Sequence, residues 1–203
     1  DRDKLRTKKK EDTMFTRLRL FCLIGITLFI ASCAGSSGYM RPSDTMLSPT
    51  NEKALVRIMR PSGFGFAINF NIWDGEKVIG NSVAKSQFDY LADPGKHVFV
   101  AVAENKTFLE AELEAGKTYY ILTQVRMGVW KARVGFVAVT KGSEFWDKVL
   151  TYEDELNKLQ PETEALKTWG DSNREKIREV LSLYERELKT SEEWPRLRPE
   201  DGR

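Results

Sequence analysis

From Lys53 to Thr140 apolar residues recur at every second position, in short runs separated by turn signals, and no helical pattern interrupts the series. Alternation of this kind buries one face of each run, which commits the stretch to strands. Ala54, Val56 and Ile58 alternate with Leu55, Arg57 and Met59 until Arg60-Pro61 ends the run. Phe66, Ile68, Phe70 and Ile72 take one face of the next, against Ala67, Asn69 and Asn71, and Asp74-Gly75 then supplies the positive φ of a tight hairpin. Asp93-Pro94-Gly95 turns the chain again, with proline presetting φ, before Val98, Val100 and Val102. Leu109, Ala111 and Leu113 follow, opposed to Glu110, Glu112 and Glu114, which are expected to face water. After Gly116-Lys117 and the run Thr118 to Val125, the residues Ala132, Val134, Phe136 and Ala138 close the series. About seven strands without helical intervals predict an antiparallel sandwich or small barrel with its own core.

Beyond Gly142 the spacing becomes helical. Ser143 stands at an N-cap position before Phe145, Trp146, Val149 and Leu150, and the pattern runs through Leu156 and Leu159 to Pro161. Ala165, Leu166 and Trp169 mark a second helix, which Gly170 is expected to break. A third starts at Asp171 or Ser172, where Ser172 and Glu175 have capping-box spacing, and it carries Ile177, Val180, Leu181, Tyr184 and Leu188 on one face. Such a stripe buries itself, on its own β-domain or on the preceding helices in most globular chains, or else on a partner helix in a homo-oligomer or another envelope protein. Its polar face mixes Glu with Lys and Arg, which disfavours a membrane surface. From Trp194 onward, two prolines and no periodicity predict a disordered end.

The opposite terminus reads as an address. From Met14, MFTRLRLFCLIGITLFIASC has a basic start at Arg17 and Arg19, an apolar stretch from Leu20 to Ile30, and a small-residue site ending in Cys33. A bilayer-spanning helix takes about 20 apolar residues and a signal core about 7–15, so the segment reads as a signal peptide. Its end, Ile30-Ala31-Ser32-Cys33, resembles the lipobox of bacterial lipoproteins. That resemblance implies cleavage between Ser32 and Cys33, a diacylglyceryl group on the Cys33 thiol and an acylated new amine, since two or more chains hold a membrane that one binds only marginally. The other reading of Cys33 is a small apolar residue at a helix end, and Cys22 reads as a small hydrophobe that leaves with the signal. Ala34, not aspartate, follows the cysteine, which by the sorting logic of lipoproteins implies the outer membrane, facing the periplasm. Residues 1–13 do not fit a signal and read as an upstream over-extension, and the Gly-, Ser-, Thr- and Pro-rich residues that follow Cys33 read as a flexible tether.

The charge balance excludes several functions. With 32 Lys+Arg against 30 Asp+Glu, the chain lacks the excess of cations that nucleic acid calls for. Two cysteines and one histidine supply neither a Cys-rich zinc site nor a multi-histidine site, so no metal or cofactor is expected. The near-neutral total hides an opposition, because residues 34–142 carry 13 basic and 10 acidic side chains whereas residues 143–203 carry 11 and 16. His97 has no persuasive nucleophile or paired acid in the sequence and reads as a surface or hydrogen-bonded structural residue. Ser62 to Phe66, SGFGF, lacks a dinucleotide or phosphate-loop fingerprint and reads as a flexible loop. Glu110, Glu112 and Glu114 have the spacing of a cation site and equally of a solvated sheet face, the preferred reading. Trp130 and Trp73 are candidates for a binding surface that stacks on a sugar or peptide, with core packing as the alternative.

Four segments in order, ALVRIMRP, NIWDGEKVIG, DPGKHVFVAV and EAGKTYYILTQV, resemble an uncharacterised DUF family of bacterial lipoproteins with a PEGA-like, immunoglobulin-like β-sandwich. The likeness covers about Ala54 to Thr140. Gly75, Gly95 and Gly116 match its turn glycines, and Arg60-Pro61 and Tyr119-Tyr120 its other landmarks; it implies fold and localisation and carries no catalytic residue. The tyrosine pair reads as structural.

These readings divide the chain into an over-extension (1–13), a lipoprotein signal (14–32), an acylated cysteine with its tether (33–52), a β-sandwich (53–142), a helical tail (143–191) and a disordered end (192–203). The expected fold is mainly β with an α tail, an antiparallel immunoglobulin-like β-sandwich followed by C-terminal amphipathic helices. The expected function is that of a lipid-anchored envelope lipoprotein, a non-enzymatic structural or protein-interaction module held to the membrane through Cys33. The alternative is a periplasmic glycan- or peptide-binding module using the loop around Trp130.

Overall fold

The computed structural model describes residues 37–128, 132–190 and 193–203, all within one unit, Gly35–Arg203. The strands are β1 (Met40–Pro42), β2 (Ala54–Arg60), β3 (Phe70–Asp74), β4 (Lys77–Ser82), β5 (Ser86–Ala92), β6 (Gly95–Val102), β7 (Lys106–Leu113), β8 (Thr118–Met127), β9 (Ala132–Ala138), β10 (Asn157–Pro161) and β11 (Arg196–Leu197). Three helices, α1 (Lys148–Glu155), α2 (Thr163–Ser172) and α3 (Arg174–Leu183), complete the fold, with α3 running on into a π-turn at Tyr184–Leu188. One sheet has the order β1-β10-β5-β2-β8-β9 and the other β11-β7-β6-β3-β4.

The fold is mainly β, as the alternation predicts, but the sheets are mixed. β2 lies parallel to β8, β10 to β5 and β11 to β7, while the remaining pairs are antiparallel. Period-two alternation is the same in both arrangements, and hairpin turns fix only neighbours in sequence, so the long-range pairing of β2 with β8 leaves no mark on the pattern.

Side chains from the inner faces, among them Val56, Ile58, Phe88, Tyr119 and Ile121 from the first sheet and Ile72, Phe99, Leu109 and Leu113 from the second, make the central core. Both outer faces are covered as well. Met59, Tyr120 and Leu122 pack under α1 through Val149 and Leu156. Trp73, Val100 and Phe108 pack under α3 and its π-turn through Ile177, Val180 and Tyr184. The order of layers is therefore helix, sheet, sheet, helix. This explains why every residue of β2 is buried, since a central strand in a covered sheet has no solvent face.

The helices are thus split between opposite faces, and the stripe on α3 is consumed by its own domain. α1 stops at Glu155, earlier than the helical spacing predicts, and Asn157–Pro161 crosses as β10 to pair with β5. Leu156 and Leu159 have helical spacing by coincidence. α2 does not break at Gly170 but continues to Ser172. An added Cβ at Gly170 would stand 3.1 Å from Val78 Cγ2, so the glycine serves the close approach of α2 to β4.

Two segments expected to be loose are tied down. In the supposed tether, Met40–Pro42 pairs with β10, Ser43 N donates to Lys158 O, and Leu47 N donates to Asp89 Oδ2 at 2.6 Å. In the supposed disordered end, Leu197 is fully buried in the central core, Trp194 Nε1 donates to Leu188 O, and the Arg203 and Thr118 backbones exchange hydrogen bonds of 2.8 and 3.0 Å. A two-residue strand is too short to show a period, which is why the sequence reads as disorder there.

Candidate functional site

The strand expected to begin near Phe66 begins only at Phe70. Residues 61–69 instead wrap the guanidinium of Arg60, which is 1% exposed. Its Nη1 donates to Ile68 O at 2.6 Å and Ser82 O at 3.4 Å, and its Nη2 to Phe64 O at 2.9 Å and Gly65 O at 2.8 Å. Only carbonyls accept from it, and burial pushes its pKa below the usual arginine value. With no counter-ion against it among the described residues, the cation is held by these carbonyl dipoles and by the Phe70 ring, whose centroid lies 5.9 Å from Cζ, at a cost in desolvation that they offset only in part. Gly65 completes the lock. It has φ of 63°, and a Cβ there would lie 2.9 Å from Val125 Cγ1.

The loop so held turns apolar side chains outward. Phe64 is 52% exposed and Phe66 74%. Because β2 and β8 are parallel, their C-terminal ends lie together, and Met127 at the end of β8 is 82% exposed. Cations surround this end of the sandwich. Arg126 and Arg133 stand directly opposite each other in the β8–β9 pairing, and both are exposed. Exposed Lys85, in the turn between β4 and β5, lies alongside Gly63. Glu104, in the turn between β6 and β7, brings an acidic side chain to the same end, where its N–H donates to Ala132 O.

Of the residues predicted from sequence, Ser32, Cys33 and Trp130 lie outside the described residues. Trp73 is placed in the core rather than at a surface. It is 2% exposed, with its ring 6.0 Å from that of Trp169, so it offers nothing to a ligand. The SGFGF segment was legible as a loop but not as a held one. The signal was present in two phenylalanines flanking Gly65 directly after a strand that ends in arginine.

His97 is tied on both nitrogens. Nδ1 lies 2.8 Å from Asp74 Oδ2, and Nε2 lies 2.8 Å from Asp93 O. Both partners are acceptors, an arrangement that favours the doubly protonated ring. The Asp74 hydrogen bond raises the His97 pKa against the opposing effect of burial. Tyr90 Oη donates to Asp74 as well, and burial followed by Asp74 pushes its pKa up. The cluster leaves no ring nitrogen to abstract a proton from a substrate.

Glu110 is less solvated than its spacing predicts. Tyr184 Oη and Arg196 donate to its carboxylate, and these contacts hold its pKa down although burial acts the other way. A groove of about 700 Å³ opens where β10 leaves β5, floored by Val78, Ile79, Leu91 and Leu166 and rimmed by Lys77, Lys167 and Arg174. Pro161 has no N–H to continue the β10–β5 ladder, so the last residues of β5 pair on one side only.

Among the described residues no group of three or more His, Cys, Asp or Glu side chains is placed to hold a metal, and no helix is long and apolar enough to cross a membrane. Compared with known protein families, curated sequences and solved structures, the chain matches none.

Proposed function

We propose that the chain is a lipid-anchored bacterial envelope lipoprotein that acts as a non-enzymatic structural or interaction module, held at Cys33 and sorted to the outer membrane, facing the periplasm. The lipobox-like Ile30-Ala31-Ser32-Cys33 supports the anchor. The observation that carries the interaction role is the loop end of the sandwich, where a buried arginine holds Phe64 and Phe66 in solvent beside Met127. The single histidine, bonded on both nitrogens, supports a non-enzymatic reading. A PEGA-like, immunoglobulin-like sandwich is the finer fold we infer. It is supported by the two facing sheets and by Gly75, Gly95 and Gly116, the matched turn glycines, all of which have positive φ.

The anchor is tested by metabolic labelling with palmitate. Cys33→Ala is expected to lose the label and membrane retention, and a fully labelled, membrane-retained variant would refute the localisation. A glycan or peptide ligand at the loop around Trp130 is the second reading, favoured by the exposure of the aromatic side chains Phe64 and Phe66. Crosslinking in the native envelope separates the two, since a stoichiometric protein partner supports the first and retention on peptidoglycan without one supports the second.

A further inference from the structure

The loop end combines two features that each cost the isolated protein something. Large apolar side chains at 52–82% exposure leave apolar surface in water, and exposed apolar groups gathered at one place mark an interaction surface. Like charges directly opposite on a strand pair repel, yet Arg126 and Arg133 face each other across β8 and β9. Arg126 Nη2 donates to the neutral Gln124 Oε1. An anionic counterpart outside the chain would relieve the repulsion, and an apolar one would bury the phenylalanines.

We infer that this end of the sandwich docks on an anionic bilayer surface, with Phe64, Phe66 and Met127 entering the headgroup–acyl boundary while Arg126, Arg133 and Lys85 meet lipid phosphates. The segment 61–69 contains no charged residue, so nothing in it opposes insertion. The apolar groups project from the ends of separate chain segments, one before β3 and one at the end of β8. A fluid interface moulds itself to such projections, whereas a folded protein partner would need a pocket for each. Apolar insertion and attraction of basic residues to anionic lipid act together in peripheral membrane binding. Arg60 is the device that holds the tip in an insertable shape. The contact is non-covalent and does not depend on acylation of Cys33, so loss of palmitate labelling and loss of bilayer docking are separate results.

The test uses the expected mature chain, residues 33–203, with Cys33→Ser so that no acyl chain or signal segment contributes to binding, and an environment-sensitive dye on one new cysteine. Ala67→Cys places the dye beside Phe66 with both phenylalanines kept, and Glu52→Cys, exposed before β2 at the far end of the sandwich, is the control. On vesicles containing phosphatidylglycerol the dye at position 67 is expected to shift to the blue, with little shift on purely zwitterionic vesicles and none at position 52. Adding Arg126→Gln and Arg133→Gln is expected to raise the lipid concentration for half the shift roughly 30-fold, from the attraction of each basic residue to an anionic surface. Phe64→Ser with Phe66→Ser is expected to remove the shift while circular dichroism stays unchanged. A dye at position 67 that keeps its aqueous emission while the protein is on anionic vesicles would overturn the proposal. So would an equal shift at position 52, or protection of position 67 by an envelope protein in place of lipid.

Discussion

A histidine whose two nitrogens both face acceptors ties stability to its protonation state. His97 keeps its proton in the folded protein above the pH at which an unconstrained histidine loses it, because Asp74 raises its pKa. Below about pH 6.5 folded and unfolded states are both protonated and the contribution is present in full. As pH rises through the elevated folded value, the folded state releases the proton and the contribution is lost. The groups facing the ring are the Asp74 carboxylate and the Asp93 carbonyl, and these together with the Asp93 charge favour the charged form, while the Tyr90 hydroxyl donates to Asp74. Urea unfolding between pH 5.5 and 8.5 should therefore show stability falling with pH, and the His97→Gln variant should show a flatter profile. A wild-type profile that rises over this range would contradict the assignment. Alternation puts His97 on the opposite face of β6 from Val98, Val100 and Val102, but it does not show that Asp74 at the end of β3 and Asp93 in the turn before β6 would meet it.

At the scale of elements, one charged cluster ties a strand, a helix and the N-terminal segment together. Arg57 on β2 pairs with Asp89 on β5 through Nε at 2.7 Å and Nη2 at 3.0 Å, and Nη1 bonds to Glu153 on α1. Arg57 Nη2 also donates to Leu47 O at 3.1 Å, and Tyr120 Oη donates to Glu153. Burial opposes the Arg57 charge, but the two carboxylates outweigh it and raise its pKa, while burial and then Glu153 raise that of Tyr120. Removing the cation alone leaves carboxylates buried and unpaired, so Arg57→Met is expected to cost about 3–5 kcal/mol. Arg57→Met with Asp89→Leu should cost less than the sum of the single changes, as measured by denaturant unfolding in a double-mutant cycle; strict additivity would mean that the pair does not act as a unit. Alternation revealed most of the strands, and the stripe Ile177, Val180, Tyr184 revealed a helix that buries itself. Arg57 occupies a polar position in that alternation and gave no sign that a helix would lie over it. Nor could periodicity show which face each helix covers, because that depends on how β10 carries the chain from one side of the sandwich to the other.

Over the whole molecule, the last described segment closes both sheets. β11 extends one sheet beside β7, Leu197 enters the central core, and Arg203 pairs with Thr118 in the other sheet. Asp201 is buried and accepts from the backbone N–H groups of Lys141 and Arg198. Leu197→Ala is expected to cost about 2–5 kcal/mol, the range for a large-to-small change in a closed core. A thermal melt would register it, and an unchanged midpoint would mean that the segment lies on the fold without supporting it. This stitching also orders events in time. During synthesis most of the two sheets can assemble before Arg196 emerges, but the place of Leu197 in the core stays open until β11 arrives, and domains generally complete as units. A nascent chain therefore stays more open to proteases and chaperones until Leu197 has emerged and entered the core.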